Sequence, residues 1–288
     1  MTSVYDRGMP HGDDASRARG QALLQGPYAP RPRDTPALSD CDFYQTIELP
    51  GIGLQTGQWD LRPGIDAYLG PTDFAGLRVL EIGTANGFVC FELERRGADV
   101  VAVELPEAMT YDARPGALDT LDTLEPEMLG VGMRRIRNAY WLGHELLSSS
   151  AKVVHAHATD LPDAIGHFDV VVLANVLQHI REPVTALIEA ARRADSVVVT
   201  ETDWTRGAYD ELRGMVLFDS HNPFSWFQVT PALLTALLDE LGFPDQDVTR
   251  HEQLLVEDVD YSAGAAGPQT RAWGGVPVPH FTVTARRA

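Results

Sequence analysis

Apolar and polar positions change their spacing several times along the chain, and each regime predicts an element. Residues 79–82 are an apolar run broken by one acid, Glu81, and 100–103 are a second run; both predict buried strands. Between them, 88–96 has helical spacing, with Val89, Phe91 and Leu93 turned to a sheet and Glu92, Glu94, Arg95 and Arg96 mostly to solvent. Gly97 stops that helix. The alternation recurs downstream, predicting strands at 152–157, 168–174 and 195–202 and helices at 134–147 and 182–193. A further helix begins at Thr230-Pro231 with Leu233, Leu234, Leu237, Leu238 and Leu241 on one face, and two last strands, 247–256 and 278–285, flank a Gly- and Ala-rich loop. Strands alternating with helices predict an α/β fold around a mostly parallel sheet with helices on both faces, and the last two strands pair antiparallel.

Upstream the pattern is weaker. Residues 43–56 read as a hairpin broken at Pro50-Gly51, and Asp60 is placed to cap a helix over 63–69 that Pro71 ends. Residues 1–40 are rich in Pro, Gly, Arg and Asp without periodicity, which predicts a flexible N-terminal arm, or a lid carrying Tyr5 and Tyr28. Residues 41–288 then form one domain, with an acidic surface excursion at 112–127.

The bend between the first strand and its helix carries the chemistry. Gly83 and Gly87 let backbone approach a ligand without Cβ atoms in the way. Glu104 follows at the carboxyl end of the next strand, about twenty positions on, where an acid accepts ribose hydroxyl protons. Strand, bend, helix, strand and acid make the first half of a nucleotide-binding fold. A dinucleotide pyrophosphate needs G-x-G-x-x-G, but Ala85 replaces the middle glycine and no third glycine follows in register, which counts against NAD.

The pattern Glu81-x-Gly83-x-x-x-Gly87 resembles motif I of the class I S-adenosylmethionine-dependent methyltransferases. The resemblance implies a Rossmann-like, seven-stranded sheet and S-adenosylmethionine as cofactor, held by Glu81, Gly83, Thr84, Ala85, Asn86, Gly87, Glu104 and Leu105. An acid before the bend suits a ligand with an ammonium and a sulfonium better than it suits a phosphate. The resemblance also assigns Asp160 to the adenine amino group and the amide of Leu161 to the ring. Thr56, Gly57, Asp60 and Arg62 are similar to a segment preceding motif I in bacterial methyltransferases. There Arg62 or Gln58 meets the cofactor carboxylate and Trp59 or Tyr44 walls the methyl group; alternatively Trp59 packs a helix and Arg62 pairs with a surface acid.

Strand 168–174 ends in Asn175-Val176-Leu177-Gln178-His179, and ligands in open α/β sheets lie beyond the carboxyl ends of strands. Asn175 and Val176 are therefore cofactor candidates. His179 is the first candidate for a general base, its alternative being a structural histidine bonded to a nearby carbonyl. V-L-Q-H-I-R-E-P is similar to the V-L-Y-H-x-x-x-P run of the bacterial tRNA wobble-uridine carboxymethyltransferase group. Gln178 replaces that group's tyrosine, which points to ordinary S-adenosylmethionine. Residues 205–229 are dense in aromatics and sit where methyltransferases insert a substrate cap. Trp204, Asn222 and Trp226, with Tyr44 and Trp141, are the substrate candidates, and His221 is a second catalytic one; core packing is the alternative for these aromatics. His155, His157 and Asp160 imitate a metal site, but nothing else supplies ligands at zinc-like spacing, so no metal is expected.

Composition narrows the substrate. The 288 residues carry a net charge of −18 and a single lysine, Lys152, which disfavours a nucleic-acid partner. Cys41 and Cys90 make no disulfide framework, and no apolar run reaches the roughly 20 residues that cross a bilayer, so no membrane partner and a cytoplasmic location are expected. A homodimer is left open. These features together predict methyl transfer to an oxygen or nitrogen, or a carbon, of a small-molecule metabolite in specialised biosynthesis. The alternatives are a tRNA wobble-uridine modifying transferase, against which the charge stands, and a catalytically inactive S-adenosylmethionine-binding sensor domain.

Overall fold

In a computed structural model, residues 26–106, 109, 112, 114, 126–217, 224–260 and 269–288 are described. A small antiparallel hairpin, β1 (Ile47–Leu49) and β2 (Gly53–Gln55), turns at Pro50-Gly51 as its interrupted alternation predicts. Then come β3 (Trp59–Asp60), the short α1 (Ile65–Leu69), β4 (Arg78–Ile82), α2 (Phe88–Arg95) and β5 (Asp99–Glu104). A long α3 (Pro126–Leu146) leads to β6 (Lys152–His155) and β7 (Phe168–Ala174), followed by α4 (Pro183–Ala191) and β8 (Ala194–Thr202). A second hairpin, β9 (Met215–Leu217) with β10 (Phe227–Val229), precedes α5 (Pro231–Glu240), β11 (Asp245–Asp260) and β12 (Gln269–Arg286).

The main sheet has the order β3-β11-β12-β8-β7-β4-β5-β6. Five successive strands, β8, β7, β4, β5 and the edge strand β6, run parallel, whereas β12 is antiparallel to both β8 and β11. From β4 the chain builds outward through β5 and β6, then returns to β7 on the other side of β4. That reversal opens a crevice beyond the carboxyl ends of β4 and β7, the place where open α/β sheets bind ligands.

Both faces of the central strands are covered, which explains their near-continuous apolar runs. Leu80, Ile82, Val101, Val103, Val171 and Leu173 pack on one face with residues of α4 and α5, and Val79, Ala102, Val170, Val172 and Val198 on the other with residues of α1 and α2. Glu81 shares the second face by alternation, level with Ala102 and Val172.

The sheet has eight strands where seven were expected. The extra one is β3 at the edge, where Trp59 pairs with Leu255 and Asp60 with Leu254. Asp60 consequently caps no helix: α1 begins after Gly64 and ends at Gly70, whose φ of 68° suits only glycine well. The last two strands are also longer than expected, at 16 and 18 residues. They support each other as a two-stranded ribbon, a non-local pairing that leaves no local periodicity. Helix α3 starts at Pro126, ahead of the predicted 134.

The described part of the N-terminal segment lies against the edge of the sheet, where the Ala29 amide donates to Val153 and Arg31 to the Ser149 carbonyl. Among the described residues no helix is long and apolar enough to cross a membrane.

Candidate functional site

The bend after β4 is built from positions where a side chain would strain the backbone or collide. Gly83 and Gly87 have φ of 84° and 88°. A Cβ on Gly83 would come within 2.8 Å of Val176, and one on Gly87 within 2.6 Å of Phe91. Ala85, in place of the middle glycine of a dinucleotide fingerprint, is itself left-handed at φ 50°. Such strain is concentrated at functional sites and persists because surrounding contacts impose it.

Two carboxylates flank this bend. Glu104 closes it from β5, its Oε2 accepting the Ala85 amide at 2.9 Å and its Oε1 the Leu105 amide at 2.8 Å. Burial raises its pKa, and the two amides oppose the rise. Glu81 is 1% exposed, and burial pushes its pKa up to about 8. Glu81 Oε2 and Gln45 Oε1 are buried without a hydrogen-bond partner among the described residues, while the Thr84 hydroxyl lies beside Glu81 and opposes the rise in its pKa. Buried acceptors of this kind await a donor.

Asn86 ties the backbone of Gln45 to the bend. Its Oδ1 accepts the amides of Gln45 at 2.6 Å and Tyr44 at 3.0 Å, and its Nδ2 donates to the Gln45 carbonyl at 3.1 Å. The side chain of Asn86 is thus spent on tying the 44–45 segment over the bend. That segment continues to Trp59, whose amide donates to the Tyr44 carbonyl at 3.0 Å. Trp59 lies 5.3 Å from His280, edge to face, and 6.4 Å from Trp204, which stays 44% exposed at the end of β8.

Across the crevice, the chain after β7 turns at Asn175, left-handed with φ 60°. Buried Glu201 holds the turn by accepting the Leu177 amide at 2.8 Å, and burial pushes its pKa up to about 8. His179 follows, its Nδ1 lying 3.0 Å from the Phe224 carbonyl. A carbonyl only accepts, so Nδ1 carries the proton and Nε2 of the neutral ring keeps its lone pair. Burial lowers the pKa of His179, which keeps that neutral form at working pH. Trp226 is pinned nearby: its amide donates to the Gln178 carbonyl and its indole N–H to the Asp112 carbonyl, each at 2.7 Å.

The structure therefore gathers Tyr44, Trp59, Glu81, Gly83, Thr84, Ala85, Asn86, Gly87, Glu104, Leu105, Asn175, Val176, His179, Trp204 and Trp226 along one run of contacts around the strand ends. Asp160 is exposed beyond β6, and Leu161 is buried in the core. Arg62 is not drawn to the bend: its Nε and Nη2 each reach Asp60 at 2.8 Å, the surface pairing that stood as its alternative. Trp141 packs edge-on to Tyr140 at 5.3 Å in an aromatic cluster with His144 on α3, the core alternative for that residue. His221 and Asn222 lie outside the described residues. No group of three or more metal-ligating side chains occurs among the described residues.

Sequence reading missed Gln45, Glu201 as the anchor of the 176–178 turn, and the pair Thr202 and His280. Glu201 had a visible signal as an acid at the polar carboxyl end of its strand; Gln45 and His280 had none, because long-range pairing alone brings them here.

The donor set suits S-adenosylmethionine. Buried acceptors without partners suit an ammonium, an acid at the carboxyl end of β5 suits ribose hydroxyls, and the bend lacks the middle glycine a pyrophosphate needs. A family model described as a methyltransferase domain matches residues 59–244. Magnesium-protoporphyrin O-methyltransferase of Rhodobacter capsulatus is 32% identical over 132 residues, which are 45% of this chain and 46% of that protein. The match thus spans about half the length of that curated relative. Among solved structures, the N-terminal domain of EvdMO1 with SAH bound superposes with a TM-score of 0.51 at 20% identity, covering 96% of this chain and 98% of that one. Magnesium protoporphyrin IX methyltransferase of Synechocystis PCC 6803 with bound SAH gives 0.44 at 15% identity, over 75% and 76%. The chain belongs to the methyltransferase-domain family, with a domain of the class I S-adenosylmethionine-dependent type over residues 59–244.

Proposed function

We propose that this methyltransferase methylates an oxygen or nitrogen of a small metabolite, with His179 as the general base. The observation that carries this reading is the clamp on the imidazole: Nδ1 donates to the Phe224 carbonyl, leaving the Nε2 lone pair free to accept a proton beside the carboxyl end of β7. S-adenosylmethionine supplies an electrophilic methyl group on a sulfonium. The residues of this chain supply the rest. Glu104 takes the ribose hydroxyls, Glu81 with Gln45 and Thr84 receives the ammonium, and Asp160 with the Leu161 amide reads the adenine. Trp204, exposed at the end of β8, walls the acceptor, and the β9–β10 hairpin caps it. When the acceptor's oxygen or nitrogen takes the methyl, the proton it sheds passes to His179 Nε2, which supports a rate gain of roughly 10² to 10⁴. Alignment of the reactants supplies more, up to about 7 to 11 kcal/mol.

The net charge of −18 supports a small molecule over a nucleic acid. The Rhodobacter capsulatus relative is named for O-methylation of magnesium protoporphyrin, which supports an oxygen acceptor. A labelled-methyl assay on fractionated metabolite extracts tests the reading. Label should enter a small-molecule fraction with the wild type and be lost with His179→Ala. Label entering only RNA, or label transfer indifferent to His179→Ala, would overturn it.

A further inference from the structure

Helix α3 carries a charged residue on its buried face. Met133, Tyr140 and His144 recur there at helical spacing and are buried, and Arg137 stands among them only 9% exposed. Tyr140 packs at the bend itself, where a Cβ on Gly87 would come within 2.7 Å of its ring. Arg137 precedes Tyr140 on the side of the strands' carboxyl ends, and its Nη2 donates to the carbonyl of Pro106 at 3.3 Å, just past the end of β5. The Arg137 Nε is buried without a hydrogen-bond partner among the described residues. A guanidinium stays charged at every working pH, so burying one is costly unless an anion answers it.

The anion it faces is Glu104. Burial raises the pKa of that carboxyl, and the charge of Arg137 acts on it in the opposite direction. The other ionisable groups beside Glu104 are Glu81 on β4, of like charge, and His155, level with it on β6. Each Glu104 oxygen already accepts an amide, so a ligand has only the second lone pairs to meet. A proton on either oxygen would occupy one of those lone pairs and remove an acceptor.

We infer that Arg137 is a positioning residue for Glu104: its guanidinium on α3 supplies the positive charge that lets this partly buried carboxylate meet ribose hydroxyls as an acceptor. The inference rests on the reading that Glu104 takes the ribose, and Arg137 acts through that carboxylate and not on the ligand.

The test is equilibrium binding of two ligands, S-adenosylhomocysteine and 5′-methylthioadenosine, which keeps the adenosine ribose and lacks the amino acid that meets Glu81. Arg137→Met should weaken both by about tenfold at about pH 6.5, and the deficit should shrink to about threefold or less at about pH 8.5. The sign follows because losing the cation raises the Glu104 pKa further, and higher pH restores the carboxylate. Arg137→Lys keeps the charge and should stay within about threefold of the wild type at both pH values. The pH dependence should persist when His155→Gln is added. In Glu104→Gln, where no carboxylate remains to be served, Arg137→Met should cost less than about twofold. A packing role predicts a deficit that ignores pH and adds to that of Glu104→Gln, and either result would overturn the inference. So would weakening confined to S-adenosylhomocysteine, which would put Arg137 at the amino-acid end of the ligand. Should Arg137→Met not fold, Arg137→Gln drops the charge, keeps a polar group and decides the matter by the same readings. Wild-type affinity for both ligands in Glu104→Gln alone would instead move the ribose away from Glu104, a separate failure.

Discussion

Glu81 and Glu104 stand on adjacent parallel strands at the same lip of the sheet, and the fold treats them in opposite ways. Glu104 has an amide on each carboxylate oxygen, whereas Glu81 is sealed in the core with Oε2 unpartnered. Burial pushes the pKa of Glu81 up to about 8, and the nearby charge of Glu104 adds to the rise. Glu81 is therefore mostly protonated at neutral pH. A ligand that brings an ammonium to Glu81 lowers that pKa again and expels the proton. Calorimetry at pH 7 in buffers of differing ionisation enthalpy should show up to about one proton released per S-adenosylhomocysteine bound. The release should vanish in Glu81→Gln and fade above about pH 8, where the carboxylate is already ionised. No buffer dependence in the wild type would remove Glu81 from the ammonium site.

Glu104→Ala removes the acid proposed to meet the ribose and leaves the amides of Ala85 and Leu105 unpaired. The loss of charge-assisted hydrogen bonding, about 1.5 to 3 kcal/mol, corresponds to a rise in the cofactor dissociation constant of at least about tenfold. Equilibrium binding to the purified variant checks this, and an unchanged constant would move the ribose elsewhere.

His179→Ala should lower turnover by roughly 10² or more while cofactor affinity stays within a factor of about two. Because burial depresses the histidine pKa below 6.5, the ring is already a neutral base at pH 7. The acidic limb of kcat/KM therefore lies below about pH 6.5 and disappears in the variant. A limb that persists in His179→Ala belongs to another group.

Asn86→Ala deletes three hydrogen bonds to the 44–45 segment at a fully buried position. Leaving two backbone amides and a carbonyl unsatisfied should destabilise the fold by about 2 to 4 kcal/mol. Urea unfolding measures this directly. A change under about 0.5 kcal/mol would mean that solvent replaces Asn86 without penalty.

The central unit was legible because its signals are local. The apolar run 168–174 coincides with β7, and Gly83, Gly87 and Gly97 sit at positive φ where the bend and the helix end require it. Edge strand β3 and the length of the β11–β12 ribbon were not legible, since both depend on partners far along the chain. Asp60 looked like a helix cap because caps are read from one residue and its neighbours, yet its carboxylate found Arg62 first. In the site, residue identities at the bend were readable and their uses were not. Asn86 has the chemistry of a ligand contact, but its partner is the backbone 41 residues earlier. The clamp on His179 depends on Phe224, 45 residues later, and no spacing rule spans that distance.

The account rests on the bend after β4 receiving an adenosyl amino acid between Glu81 and Glu104. A crystal structure with S-adenosylhomocysteine measures this most directly. The ribose hydroxyls should lie within hydrogen-bond reach of Glu104 and the amino group beside Glu81, Thr84 and Gln45. Density for the ligand outside this crevice, or a nucleotide seated with its phosphates against Gly83 and Gly87, would contradict it.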